Sequence, residues 1–227
     1  MLMKKAGAVI PLALPIEEMD LRGRAAAIDT PLRPDAFALT PEQKVQRIEH
    51  HFRAIMETLG LDLTDDSLHG TPRRVAKMYV NEVFGGLDPA AKPQPTLFAN
   101  KFGYAGMLVE RDIAVRSCCE HHFVPIIGKA AVAYFSSGQV IGLSKLNRIV
   151  HHFAARPQVQ ERLTEQIAAE LKQVLHTDDV AVLIDAEHLC VKLRGVKEEC
   201  SSTITTHFSG RFEDPETRNE FLAHVKR

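Results

Sequence analysis

Cys119-Glu120-His121-His122, together with Cys190 in the segment His188-Leu189-Cys190-Val191-Lys192, offers two thiolates and an imidazole to a single ion. Three protein ligands leave a tetrahedral metal such as Zn2+ one position for water, which marks a catalytic rather than a closed structural zinc. The chemistry implied is metal-assisted hydrolysis. A Cys-x-x-His pair is a weak signal by itself, because buried cysteine often serves as a small apolar residue. Cys118-x-x-His121 has the same spacing as Cys119-x-x-His122, so spacing leaves two registers open, and Cys190 must be delivered by the fold. His121 and His188 lie beside the candidate ligands and suit proton transfer near neutral pH. Glu120 reads instead as a group that orients a ligand.

A second group of residues suits an anion. Gly142-Leu143-Ser144-Lys145-Leu146-Asn147-Arg148 closes a strand pattern and opens a helix, with Ser144 as the expected N-cap. Free backbone N–H groups, the positive helix end and two cations make a phosphate seat; a solvated basic face is the competing reading. Arg194 and Lys192 add charge near Cys190, and Arg74 and Lys77 form another basic pair. Glu161 follows Gln160 in the first turn of a further helix, where the dipole alone explains an acidic residue. Its carboxylate can also accept two parallel N–H bonds from a guanine edge, which adenine does not offer.

These groups need a scaffold, and the pattern of the chain supplies one. Val45, Ile48, Phe52, Ile55, Met56 and Leu59 keep a helical period after Thr40-Pro41. Thr71-Pro72 opens another helix, with Thr71 as expected N-cap and Gly85-Gly86 as its end. Val109, Ile113 and Val115 alternate with polar residues in a strand that runs into Cys119. Strands are expected over 124–135, 140–143, 180–185 and 204–212, and helices over 144–155, 157–175 and 214–225. An antiparallel meander with helices segregated from it is an α+β pattern. Residues 1–40, interrupted by prolines, read as an arm; 41–105 as a helical region; 106–227 as the catalytic domain. The chain has 227 residues, 45% of them apolar, and a net charge of −1. That balance argues against a nucleic-acid binder or a membrane-surface protein, and no run reaches the length of a membrane span. Four cysteines without a leader-like start suggest a reducing, cytoplasmic setting.

The segments Thr71–Met78, Ser117–Phe123, Ile141–Arg148, Arg156–Leu163 and His188–Gly195 closely resemble GTP cyclohydrolase I, over a span from about Pro41 to the C-terminus. The resemblance implies a tunnelling fold: an antiparallel sheet with helices on one side, assembled into a pentameric barrel and paired as a homodecamer with sites between subunits. It selects Cys119, His122 and Cys190 as zinc ligands. It assigns His121 and His188 to proton transfer, and Gln160 and Glu161 to guanine. Ser144, Lys145, Arg148 and Arg194 fall to the triphosphate, with Arg74 and Lys77 as further phosphate contacts. The implied reaction is hydrolysis of GTP at C8 to formate and 7,8-dihydroneopterin triphosphate, the entry to tetrahydrofolate and pterin synthesis. Cys118 and the stretch Val196–Ser202, with His207 beyond it, depart from the family's usual pattern. Two other readings compete. A zinc nucleobase deaminase would need His-x-Glu followed by Pro-Cys-x-x-Cys, which are absent. A non-catalytic zinc-binding scaffold of the same fold would keep the metal without turnover.

Overall fold

The computed structural model describes residues 28–226, so most of the expected arm lies outside the described residues. Helix α1 (Pro41–Thr58) starts at a reciprocal cap. The Thr40 hydroxyl accepts the Gln43 N–H at 3.3 Å, and the Thr40 N–H donates to Gln43 Oε1 at 2.9 Å. Val45 and Met56 of its apolar stripe are buried, whereas Ile55 and Leu59 are exposed. Helix α2 (Thr71–Met78) begins one residue earlier than expected. Gly70 is its cap and Thr71 its first helical residue, with the Thr71 hydroxyl accepting from Arg74 Nη2 at 2.9 Å. The helix does not run to Gly85; it widens into a π turn at Tyr79–Val83 and tightens into a 3-10 turn at Gly85–Leu87.

A five-stranded sheet follows, in the order β5-β2-β3-β6-β7. Its members are β2 (Leu108–Cys119), β3 (Pro125–Tyr134), β5 (Pro157–Gln158), β6 (Val180–His188) and β7 (Thr203–Phe208). β3 is antiparallel to both neighbours. β5 departs from the expected meander: Pro157 and Gln158 do not begin a helix but pair in parallel with Cys118 and Cys119. A separate ribbon joins β1 (Leu97–Ala99), for which the pattern gave no sign, to β4 (Gln139–Ile141).

Helices α3 (Leu143–Ala154) and α4 (Gln160–Leu175) cover one face of the sheet. Their Leu146, Ile149, Leu163 and Ile167 meet Ile113, Val115, Ile126, Val132 and Val182 in the main core. The closing helix α6 (Pro215–Val225) lies on the opposite face, where Phe221 and Phe212 pack on Ala131, Ala133 and Ala181. Strand alternation requires this, since Ala131 and Ala133 interleave with the core-facing Ala130 and Val132. Helices thus occupy both faces rather than one. No helix among the described residues is long and apolar enough to cross a membrane.

The helical region is fastened to the sheet domain at Gly86. Its N–H donates to the Ala155 carbonyl at 2.9 Å, and its carbonyl accepts Arg156 Nε at 2.8 Å. A Cβ here would run into the His152 carbonyl oxygen, so only glycine permits the approach. Arg156 Nη2 also donates to His152 Nε2 at 2.8 Å, while Lys92 pairs with the buried Glu170 at 2.6 Å.

Burial, with help from Arg156 and Lys92, pushes the His152 imidazole down to about 4. His152 is therefore neutral when folded, and the unfolded chain binds the extra proton as pH falls from about 6.5 to 4. Stability contributed by this site is complete above that window and is lost through it on acidification, on the order of 2–3 kcal/mol. His152→Gln, which keeps an acceptor for Arg156, should flatten the acid limb of a denaturant-derived stability profile. An unchanged limb would show that other groups set it.

Candidate metal centre

The turn between β2 and β3 carries half of the candidate ligand set. It is closed by two backbone bonds: Cys119 N–H to the Val124 carbonyl and Phe123 N–H to the Cys119 carbonyl, each 2.8 Å. Phe123 holds φ at +54°, an uncommon conformation for a bulky residue, and this reversal points the turn back along the sheet end. Glu120 N–H donates to the Gln158 carbonyl at 3.0 Å, which ties the turn to β5. On the other side, His188 ends β6, and Cys190 sits in the single-turn helix α5 (Leu189–Lys192).

These elements gather Cys119, His122 and Cys190, whose donor atoms all lie within 4.8 Å of one another. Cys119 Sγ is 3.8 Å from His122 Nδ1. Zinc bonds of ~2.3 Å to sulfur and ~2.0 Å to nitrogen would set tetrahedral donors roughly 3.5–3.8 Å apart, so the donor types fit that ion and the Cys119–His122 separation is close to what it needs. Among the described residues no fourth side chain joins the group. The strand distinguishes the two registers left open by spacing. Cys119 shares the helix-covered face with Ile113 and Val115, and Cys118 is buried outside that cluster. Burial, and then the neighbouring Cys119, push the Cys118 thiol up to about 11, and burial raises the Cys190 thiol as well, so it is the face of the strand and not acidity that separates Cys118 from the group.

The expected histidines flank the group differently. His121 is largely exposed, with Nδ1 3.9 Å from Cys119 Sγ. His188 is partly buried, and its Nε2 meets Gln160 Oε1 at 2.8 Å. Burial lowers the His188 pKa, opposed by the charge of Glu161. Gln160 is 1% exposed, and its amide nitrogen is shared among Ile184 O, Thr203 O and Thr205 Oγ1. Glu161, beside it in the first turn of α4, is exposed. Arg194 Nη1 reaches His122 Nε2 at 3.0 Å, and Lys192 is occupied by Glu187 at 2.8 Å.

The remaining basic residues lie elsewhere in the chain. Ser144, Lys145 and Arg148 start α3, whose cap is Gly142 rather than Ser144, with no side-chain capping bond. Asn147 of this turn donates to Glu110 Oε1 at 3.0 Å, near the opposite end of β2 from Cys119. At a strand's rise that separation is about 30 Å. Arg74 on α2 donates to Ser67 O and Thr71 Oγ1. One chain therefore gathers the metal ligands, both histidines, Gln160, Glu161 and Arg194, and does not bring Ser144, Lys145 or Arg148 to them. Arg74 and Lys77 lie on α2, which leads into Tyr79, whose ring meets Phe123 of the metal turn at 6.4 Å.

Two residues that the sequence did not flag complete the centre. Arg162 grips both Glu120 carboxylate oxygens, at 2.6 and 3.1 Å, and holds that carboxyl below its usual range. Gln158, fully buried, donates to Phe153 O and Gln166 Oε1. The partner of Arg162 lies 42 residues away, so no local signal marks it. The partners of Gln158 are only five and eight residues off, but a buried glutamine carries no pattern that announces them.

The sequence profile described as GTP cyclohydrolase I matches residues 48–226. The chain belongs to the GTP cyclohydrolase I family. A protein named GTP cyclohydrolase 1 from Flavobacterium johnsoniae is 59% identical over 196 residues, covering 86% of this chain and 88% of its own. Another of that name from Aeromonas hydrophila is 57% identical, covering 89% and 93%. One from Shewanella oneidensis is 50% identical, covering 94% and 100%. Membership of the family rests on nearly the whole described chain, both regions included.

Cys119→Ser should lose nearly all bound zinc, measured by elemental analysis of the purified protein, whereas Cys118→Ser should retain it. The opposite pattern would reverse the register.

Proposed function

We propose that this protein is a zinc-dependent cytoplasmic hydrolase that converts GTP and water to formate and 7,8-dihydroneopterin triphosphate, the first step toward tetrahydrofolate and related pterins. The observation that carries the reading is the Cys119–His122–Cys190 donor group flanked by His121, His188 and an exposed carboxylate at a helix start. When bound, the ion supplies Lewis acidity that makes water nucleophilic near neutral pH. The chain's own residues do the rest. Glu161 accepts the ring N–H and the exocyclic amine of guanine, and so orients C8 toward the donor group. The Gln160 side chain is spent internally, so it serves guanine recognition by fixing the wall behind the base and holding His188. His188 exchanges a proton with the purine nitrogen next to C8, and the exposed His121 serves the later ring-opening and rearrangement steps.

Ser144, Lys145 and Arg148, with Arg194, Arg74 and Lys77, hold the triphosphate. A nucleotide triphosphate does not bridge about 30 Å, so the first three act on a nucleotide bound to a neighbouring copy. In support, among the described residues the sheet leaves most of β2 without a partner on one side and β7 without one on the other. Open edges on opposite sides suit a head-to-tail ring, consistent with a pentameric barrel and a paired homodecamer. A non-catalytic scaffold would share all of this except turnover.

Two experiments test the reading. Assembled, zinc-loaded protein should release one formate per GTP and yield the fluorescence of an oxidised pterin, and Glu161→Ala should lower kcat/KM for GTP by at least about 100-fold while erasing preference over ATP. Zinc-loaded protein that releases no formate would favour the scaffold; a variant that still prefers GTP would remove Glu161 from base recognition. The second is complementation. Cys119→Ser and the double variant Lys145→Ala/Arg148→Ala should each be nearly inactive alone, and co-expression should restore roughly a quarter of the wild-type sites. No recovery in mixed oligomers would mean that each site lies within one chain.

A further inference from the structure

We propose that Arg162 is a positioning residue of the metal centre, acting through Glu120 to hold the turn that carries Cys119 and His122. The proposal rests on the zinc reading of the donor group. Backbone bonds close the turn upon itself, and the Glu120 N–H fastens it to β5 at one point. Between the two ligands, the Glu120 side chain reaches the first turn of α4. There the Arg162 fork meets both its oxygens, Nη1 to Oε2 at 2.6 Å and Nη2 to Oε1 at 3.1 Å. Both side chains are largely withdrawn from solvent, at 16% and 23% exposure, so screening is weak. Two parallel charge-assisted bonds fix an orientation, not just a distance, and a lysine ammonium does not reproduce that planar match.

The anchoring end is rigid. Arg162 belongs to the first turn of α4, whose Leu163 and Ile167 are fully buried in the core. It directly follows Glu161, so one helical turn carries both the proposed base reader and the clamp on the metal turn. Groups that orient metal ligands typically change affinity 10- to 100-fold when removed. Elsewhere the turn is touched by Arg194 at His122 and by the Tyr79 and Phe84 rings at Phe123. The Arg162 fork acts between the two ligands, so its loss should be felt first at the ion.

The decisive measurement is the zinc dissociation constant of assembled protein, by competition with a chromogenic chelator and without nucleotide. Arg162→Lys, Arg162→Gln, Glu120→Gln and the double variant Arg162→Gln/Glu120→Gln are compared, with oligomer size and Tm as controls for folding. Arg162→Lys should weaken zinc binding by about 10-fold or more with size and Tm retained. The double variant should bind zinc no more weakly than the worse of its parents, because both act on one contact. Wild-type affinity in Arg162→Lys, or multiplied losses in the double variant, would overturn the proposal. If Arg162→Gln does not assemble, the lysine variant decides alone. The same pattern of affinities in a protein that releases no formate would uphold the clamp while removing the proposed reaction. Normal formate release with unchanged affinities would do the reverse.

Discussion

Strand β3 fixes the register on which the metal centre depends. Pro125 stands opposite Cys118 on β2, and Ile126 stands opposite His188 on β6. The ligands at the ends of β2 and β6 meet because one strand aligns both of its neighbours at the same level. Side chains alternate with a period of two, so a slip of one residue would turn Cys119 away from the helix-covered face and bring Cys118 there instead. The buried alternation of Ile113, Val115 and Cys119 on one face makes that slip costly. Gly128 adds a local lock, since a Cβ there would collide with the Asp185 carbonyl and Ala186 across the β3–β6 ladder. The chemistry at the sheet end is thus specified by core packing well away from it.

Around the donor group, buried polar groups are mostly amides or paired charges. Gln160 spends its nitrogen on β6 and β7 and offers its oxygen to His188, while Gln158 links Phe153 to Gln166, which in turn donates to the Ile28 carbonyl at 2.7 Å. An uncharged amide can be buried in this way without the solvation loss of a lone carboxylate. Glu120 is a partly buried charge, and its bidentate partner compensates it. These contacts fix positions at low conformational freedom, which is what a site must have before an ion or a nucleotide arrives.

Much of this was legible in the chain, for identifiable reasons. The period of α1, the alternation of β2 and the apolar stripe of α4 are local, and local pattern follows directly from the geometry of helix and strand. The metal set was legible as chemistry, but its register was not, because Cys118 and Cys119 offer the same spacing and only the face of the strand separates them. Caps misled by one or two positions: Thr71 and Ser144 are good cap residues, yet Gly70 and Gly142 take the role. Pro157 looked like a helix start, and the pairing with Cys118 that makes it a strand is long-range. Arg162 was invisible, since its partner lies 42 residues away and nothing in either neighbourhood reports the other.

The division of the proposed site has a thermodynamic consequence. One chain holds the donor group, the histidines and Glu161 at one end of β2, and the start of α3 lies beside the other end. On the proposed assembly, a nucleotide bridges two copies, so its binding energy is also association energy. Every phosphate contact that tightens the substrate then tightens the ring by the same free energy, and whatever loosens the open β2 and β7 edges weakens substrate binding in turn. Such a protein cannot tune affinity and assembly independently. Selection for a working site is selection for closed sheet edges, which are also the edges most prone to uncontrolled association when left bare.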